Sequence, residues 1–126
     1  MATIRQESGS AMTVEEQYEI GFQHRCEGQY DLARQALNKV LELAPGHVRA
    51  RWQLALIAQF EGDFEGSLEG LRTVVQDAPD NLDVRYDYAM TLMMLGMVDE
   101  ACQEFRAILV IDPEHEKARQ QLSYCQ

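Results

Sequence analysis

Apolar residues recur along this chain at helical rather than strand spacing, as at Ile20, Gly21 and His24 and then Ala33, Leu37, Val40 and Leu41. Prolines at 45, 79 and 113 stand 34 residues apart and are the only prolines in the chain. Glycines at 28, 62 and 96 form a second column with the same spacing, each followed two residues later by Tyr30, Phe64 or Val98. A glycine tolerates the left-handed turn that ends a first helix, and a proline biases the residue before it away from helix. The pattern therefore predicts helical hairpins, with helices at about 14–26 and 30–43, 48–60 and 64–77, 82–94 and 98–110, and a last one at about 115–125. Thr13 and Glu16 have the spacing of a capping box at the first helix. That makes 1–12 a polar arm and 13–126 one domain, with repeats of about 14–47, 48–81 and 82–115.

A 34-residue helix-turn-helix unit with small residues at fixed depths resembles the tetratricopeptide repeat (TPR) over residues 14–115. The small first-helix position is matched by Gly21, Ala55 and Ala89, and the small second-helix position by Ala33, Ser67 and Ala101. The large second-helix position is matched by Leu37, Leu71 and Phe105. The early tryptophan position holds Gln17, Arg51 and Arg85 instead, and the later tyrosine position His24, Ala58 and Leu92. The resemblance implies an all-α right-handed superhelix of three hairpins. Residues 115–126 are the expected polar-faced cap, with Ala118 and Leu122 docking and Lys117, Arg119, Gln120 and Gln121 facing water.

In that family the first helices line a concave groove. Here an aromatic stands one residue after each early tryptophan position, at Tyr18, Trp52 and Tyr86, which turns it toward the groove. Phe22, Leu56 and Met90 follow one turn later, with Cys26, Phe60, Met93 and Met94 beyond. Ile20/Gly21, Leu54/Ala55 and Tyr88/Ala89 are assigned to the packing side. Glu15, Glu19, Asp83 and Asp87 add acid at the rim, and Arg25 and Arg49 some base. The resulting expectation is a non-catalytic adaptor or scaffold that binds a protein segment, apolar with basic flanks, in an aromatic-lined groove; methionines there suit varied partners. Self-association through the same surface, and a chaperone of a secreted substrate, are the alternatives. One TPR subgroup grips acidic C-terminal tails with lysine, asparagine and arginine; Tyr18, Phe22, Gln53, Asp83 and Asp87 stand at those places, so tails ending in EEVD should not bind.

Charge and composition narrow the rest. A net charge of −10 argues against nucleic acid and anionic lipid as partners. No apolar run is long enough for a membrane span or a secretory leader, and three cysteines, an odd number, suggest free thiols; both observations point to the cytoplasm. His24, His47 and His115 share no helical face, and His24 and Cys26 face different ways, so neither a metal, a cofactor nor a catalytic pair is expected. Copper(I) on the methionines Met90, Met93, Met94 and Met97 is a minor alternative.

Overall fold

A computed structural model describes residues 12–125; of the expected arm, all but Met12 lies outside the described residues. Among the described residues there are seven helices: α1 (Val14–Cys26), α2 (Tyr30–Leu43), α3 (Val48–Phe60), α4 (Phe64–Asp77), α5 (Leu82–Met94), α6 (Val98–Ile111) and α7 (Glu116–Leu122). The first six start where the spacing predicts them. None of the seven is long and apolar enough to cross a membrane.

The punctuation acts as its chemistry requires. Thr13 Oγ1 accepts from Glu16 N at 3.0 Å while Glu16 Oε1 accepts from Thr13 N at 2.9 Å, closing the capping box. Gly28, Gly62 and Gly96 take φ of 77°, 92° and 81°, the left-handed values that let each hairpin turn. Ahead of the three prolines, Ala44, Ala78 and Asp112 leave the helix at φ −143°, −136° and −133°. Proline's ring disfavours a helical residue before it, so α2, α4 and α6 stop there.

Two compact units divide the chain, one up to Ile57 and one from Ala58. In the first, Tyr18, Ala33, Leu37, Val40, Ala50 and Ile57 form the core, with Val14, Phe22, Tyr30, Leu41 and Leu54 packed on it. At Gly21 α2 crosses α1 closely: a Cβ there would lie 2.7 Å from Leu37 Cγ and 2.8 Å from its Cδ2. In the second unit Leu71, Val74, Val84, Ala89, Leu92, Phe105 and Ile108 are fully buried. Burying a Leu, Val or Phe side chain contributes roughly 1.5–3 kcal/mol. Ser67 Oγ donates to Gln59 Oε1 at 3.5 Å, and Thr91 Oγ1, 3.3 Å from the same oxygen, donates over a shorter distance to the Asp87 carbonyl at 2.9 Å, so the buried hydroxyls of this core are satisfied.

Three expectations are corrected. Ile20, assigned to the packing side of α1, is 37% exposed, because no described helix precedes α1 to cover it. Cys102 and Cys125 form a disulfide, leaving Cys26 as the free cysteine, so the free-thiol argument for a cytoplasmic setting no longer holds for two of the three. Helix α7 ends at Leu122 rather than near 125. Its last amides tighten into short turns, Tyr124 N to Gln121 O at 3.0 Å and Cys125 N to Leu122 O at 2.9 Å, which carry Cys125 back toward α6.

Candidate functional site

In the first unit the aromatic column begins inside the core. Tyr18 is 3% exposed, not an open groove residue as its position in the pattern suggests. His47 stacks on its ring at 5.4 Å, Phe22 lies 6.1 Å away, and the Arg49 guanidinium covers it at 4.3 Å. Arg49 in turn pairs with Glu15 at 2.7 Å and Glu19 at 3.7 Å. Its charge is spent on α1, so it is a clamp over Tyr18 more than a free base. Burial raises the Tyr18 phenol above its ordinary value of 10.0, against the pull of Arg49.

In the same unit the half-buried Phe22, Arg25, Trp52 and Leu56 keep part of their surface open. The Arg25 guanidinium sits 5.3 Å above the Phe22 ring. Gln53 is 4% exposed, and its Oε1 is buried without a hydrogen-bond partner in this structure.

The second unit repeats the device with other residues. Tyr86 is half-buried, stacked on His115 at 5.9 Å, tilted against Phe105 at 5.7 Å, with Lys117 Nζ 5.6 Å from its ring centre. Beyond it α5 presents the half-buried Met90 and Met93 and the 51% exposed Met94. Asp83 is exposed, and Asp87 is half-buried with its carbonyl accepting from Thr91 Oγ1 at 2.9 Å. Phe60, at the end of α3, is 53% exposed. Each unit thus sets a partly open apolar strip beside charged side chains.

Sequence reasoning missed two features. His47 and His115 cap α3 and α7, each Nδ1 accepting from the amide three residues on, Ala50 or Ala118, at 3.1 Å, while its ring stacks on the tyrosine of the preceding first helix. The signal was available, for 47, 81 and 115 fall on the 34-residue grid and Asn81 caps α5 between them through Val84 N at 3.3 Å. The other is an ion pair, Arg85 Nε to Glu104 Oε1 at 2.7 Å, with side chains only 19% and 22% exposed. His24, read as a helix-packing residue, is half-buried and bonds Gln29 Oε1 at 2.8 Å across the hairpin turn.

Family models described as tetratricopeptide repeat match residues 27–59 and 61–123, and the chain belongs to that family. The first TPR of Spaghetti (RPAP3), solved bound to the HSP90 peptide SRMEEVD, is similar at TM-score 0.78 and 16% identity, over 87% of this chain and 89% of that one. MamA from Desulfovibrio magneticus RS-1 is similar at 0.75 and 23%, over 89% of this chain and 63% of its own. An O-GlcNAc transferase mutant of Thermobaculum terrenum is similar at 0.75 and 20%, over 86% of this chain but 21% of its own. At these identities the likeness shows the fold. Against the second and third of these, the chain spans less than two thirds of the neighbour's length. No curated protein matches the sequence. The all-α TPR solenoid class expected from the repeat is thereby established, and with it a protein-interaction module of a generally non-catalytic kind.

Proposed function

We propose that this chain is an adaptor that holds a segment of another polypeptide on the open faces of its first helices. The observation that carries the reading is the split between the columns of those helices. Gly21, Ala55 and Ala89 are buried and close the core, so the neighbouring Phe22, Trp52, Leu56, Tyr86, Met90, Met93 and Met94 keep apolar surface the fold does not consume. Tyr18 acts from behind, propping Phe22 and Arg49. Aromatic and methionine side chains are the usual anchors of such surfaces, and a chain of net charge −10 favours a partner with basic flanks. Arg25, Arg49, Phe60, Asp83 and Asp87 border the strips and set register more than affinity. A surface with acid at Asp83 and Asp87 repels a carboxylate tail, so a peptide ending in EEVD serves as the non-binding control.

The test is a quantitative pull-down with wild type and Trp52→Asp after their melting temperatures have been shown to agree. A protein retained by wild type and lost by the variant supports the reading. Equal recovery by both baits moves binding to another face, and an unfolded variant places Trp52 in the core.

Self-association is a second reading with its own observation. Ile20 and Leu32 are 37% and 45% exposed and flank a depression of about 160 Å³ between α1 and α2. A second copy covering it would be a dimer or chain of dimers. Sedimentation would then show a species above monomer mass that Ile20→Glu removes.

A further inference from the structure

Asp99, Cys102, Gln103 and Arg106 follow one another along a single side of α6 at the i, i+3, i+4, i+7 spacing of a helical stripe. Cys102 is joined to Cys125 of the C-terminal turn, with Cα atoms 6.1 Å apart. Beside that bond lies a cavity of about 380 Å³ whose wall holds both sulfur residues, Asp99, Arg106 and Tyr124. Cys102 is 4% exposed, whereas Cys125 is half-buried on a seven-residue helix's trailing turn, so Cys125 is the more accessible half of the bond. Asp99 and Arg106 are exposed, and among the described residues neither is held in an ion pair. An acid and a base on opposite ends of a small cavity, with a disulfide between them, match a molecule that carries a carboxylate, an ammonium and a thiol.

We propose that this cavity admits a low-molecular-weight zwitterionic thiol of the cysteine-peptide class, which opens the Cys102–Cys125 bond and unfastens the capping helix α7. Arg106 takes the carboxylate, Asp99 the ammonium, and the thiolate attacks Cys125 Sγ. A bond forms between the two sulfurs as the Cys102–Cys125 bond breaks; Cys102 leaves as a thiolate and takes a proton from solvent. A second thiol displaces the adduct from Cys125. The net change reduces the protein disulfide to two thiols and oxidises two small thiols to their disulfide. Once open, α7 keeps only noncovalent contacts, among them the fully buried Ala118, the His115 stack on Tyr86 and Lys117 over the same ring. Seven residues are too few to persist as a helix without that packing. The oxidised chain is thus closed at its last repeat, and the reduced chain exposes it.

Glutathione and the neutral thiol 2-mercaptoethanol are the probes, applied to the full chain carrying Cys26→Ser so that the free cysteine does not react. Peptide mass mapping should find the transient glutathione adduct on Cys125. Arg106→Gln and Asp99→Asn should each slow opening by glutathione about fivefold, the size of a modest ion-pair loss, and leave the mercaptoethanol rate unchanged. Hydrogen exchange over 112–125 should rise on opening while that over 14–57 stays the same, and Cys125→Ser should show the fast exchange without any thiol. The proposal is overturned if the purified protein holds no disulfide, if the adduct sits on Cys102, if both variants slow the two thiols equally or not at all, or if exchange over 112–125 is indifferent to the redox state.

Discussion

The first and third repeats of this chain use the same register for different ends. Tyr18 and Tyr86 occupy equivalent positions, each stacked on a histidine cap and covered by a cation, Arg49 or Lys117. Yet Tyr18 is buried and Tyr86 keeps part of its ring open. Arg49 is drawn close by Glu15 and Glu19, while Lys117 reaches its ring from the short, seven-residue α7. On the opposite side of the same helices the order inverts. Ile20 is 37% exposed and its equivalent Tyr88 is 8% exposed, because α5 has α4 packed before it. One sequence column therefore yields core or surface according to what neighbours it in each repeat.

The most forceful way to break that equivalence is to truncate both members of the inner column. Tyr88→Ala should cost about 3–5 kcal/mol, the range for a large buried aromatic, whereas Ile20→Ala should fall well below the 2–5 kcal/mol usual for a buried isoleucine. Urea unfolding of the two variants checks this, and equal losses would mean that something covers Ile20 in solution, as the self-association reading requires.

A smaller effect separates the two hairpin crossings. Alanine at Gly21 gains about 1 kcal/mol in helix propensity but sets its Cβ against Leu37, so Gly21→Ala should be destabilising by about 1–3 kcal/mol. The third repeat already has alanine at this place, Ala89, fully buried. Ala89→Gly should lose only about 0.5–1 kcal/mol through helix propensity, and a paired denaturation series distinguishes the steric from the intrinsic cost.

The smallest expected difference lies at alkaline pH. Burial holds the Tyr18 phenol above its ordinary 10.0, so its folded form resists ionisation. A raised folded value means that stability is intact below pH ~10 and falls as pH climbs through the folded value. Tyr18→Phe should therefore lose less stability than wild type as the pH rises above about 10. Thermal melts across that window measure it.

Much of the molecule was legible before any coordinates. The proline and glycine columns placed the helix ends because their backbone restrictions are local: ring geometry at Pro45, Pro79 and Pro113, and the φ freedom of Gly28, Gly62 and Gly96. The buried small column was equally legible, since a close helix crossing admits only small side chains. The candidate site was legible in part. Phe22, Trp52, Leu56, Tyr86 and the methionines keep open surface, but Tyr18 does not, and helical phase alone could not reveal that Arg49 and His47 would close over it.

Residue chemistry within 34 positions sets the helices, their turns, the repeat register and membership in the tetratricopeptide family. Tertiary structure decided which columns are buried, how the histidines double as caps and ring partners, and that Cys102 meets Cys125 across 23 positions. Spacing along the chain restricts the conformation of each residue, but burial and cross-linking depend on which atoms approach in space. That information exists only once the helices have packed.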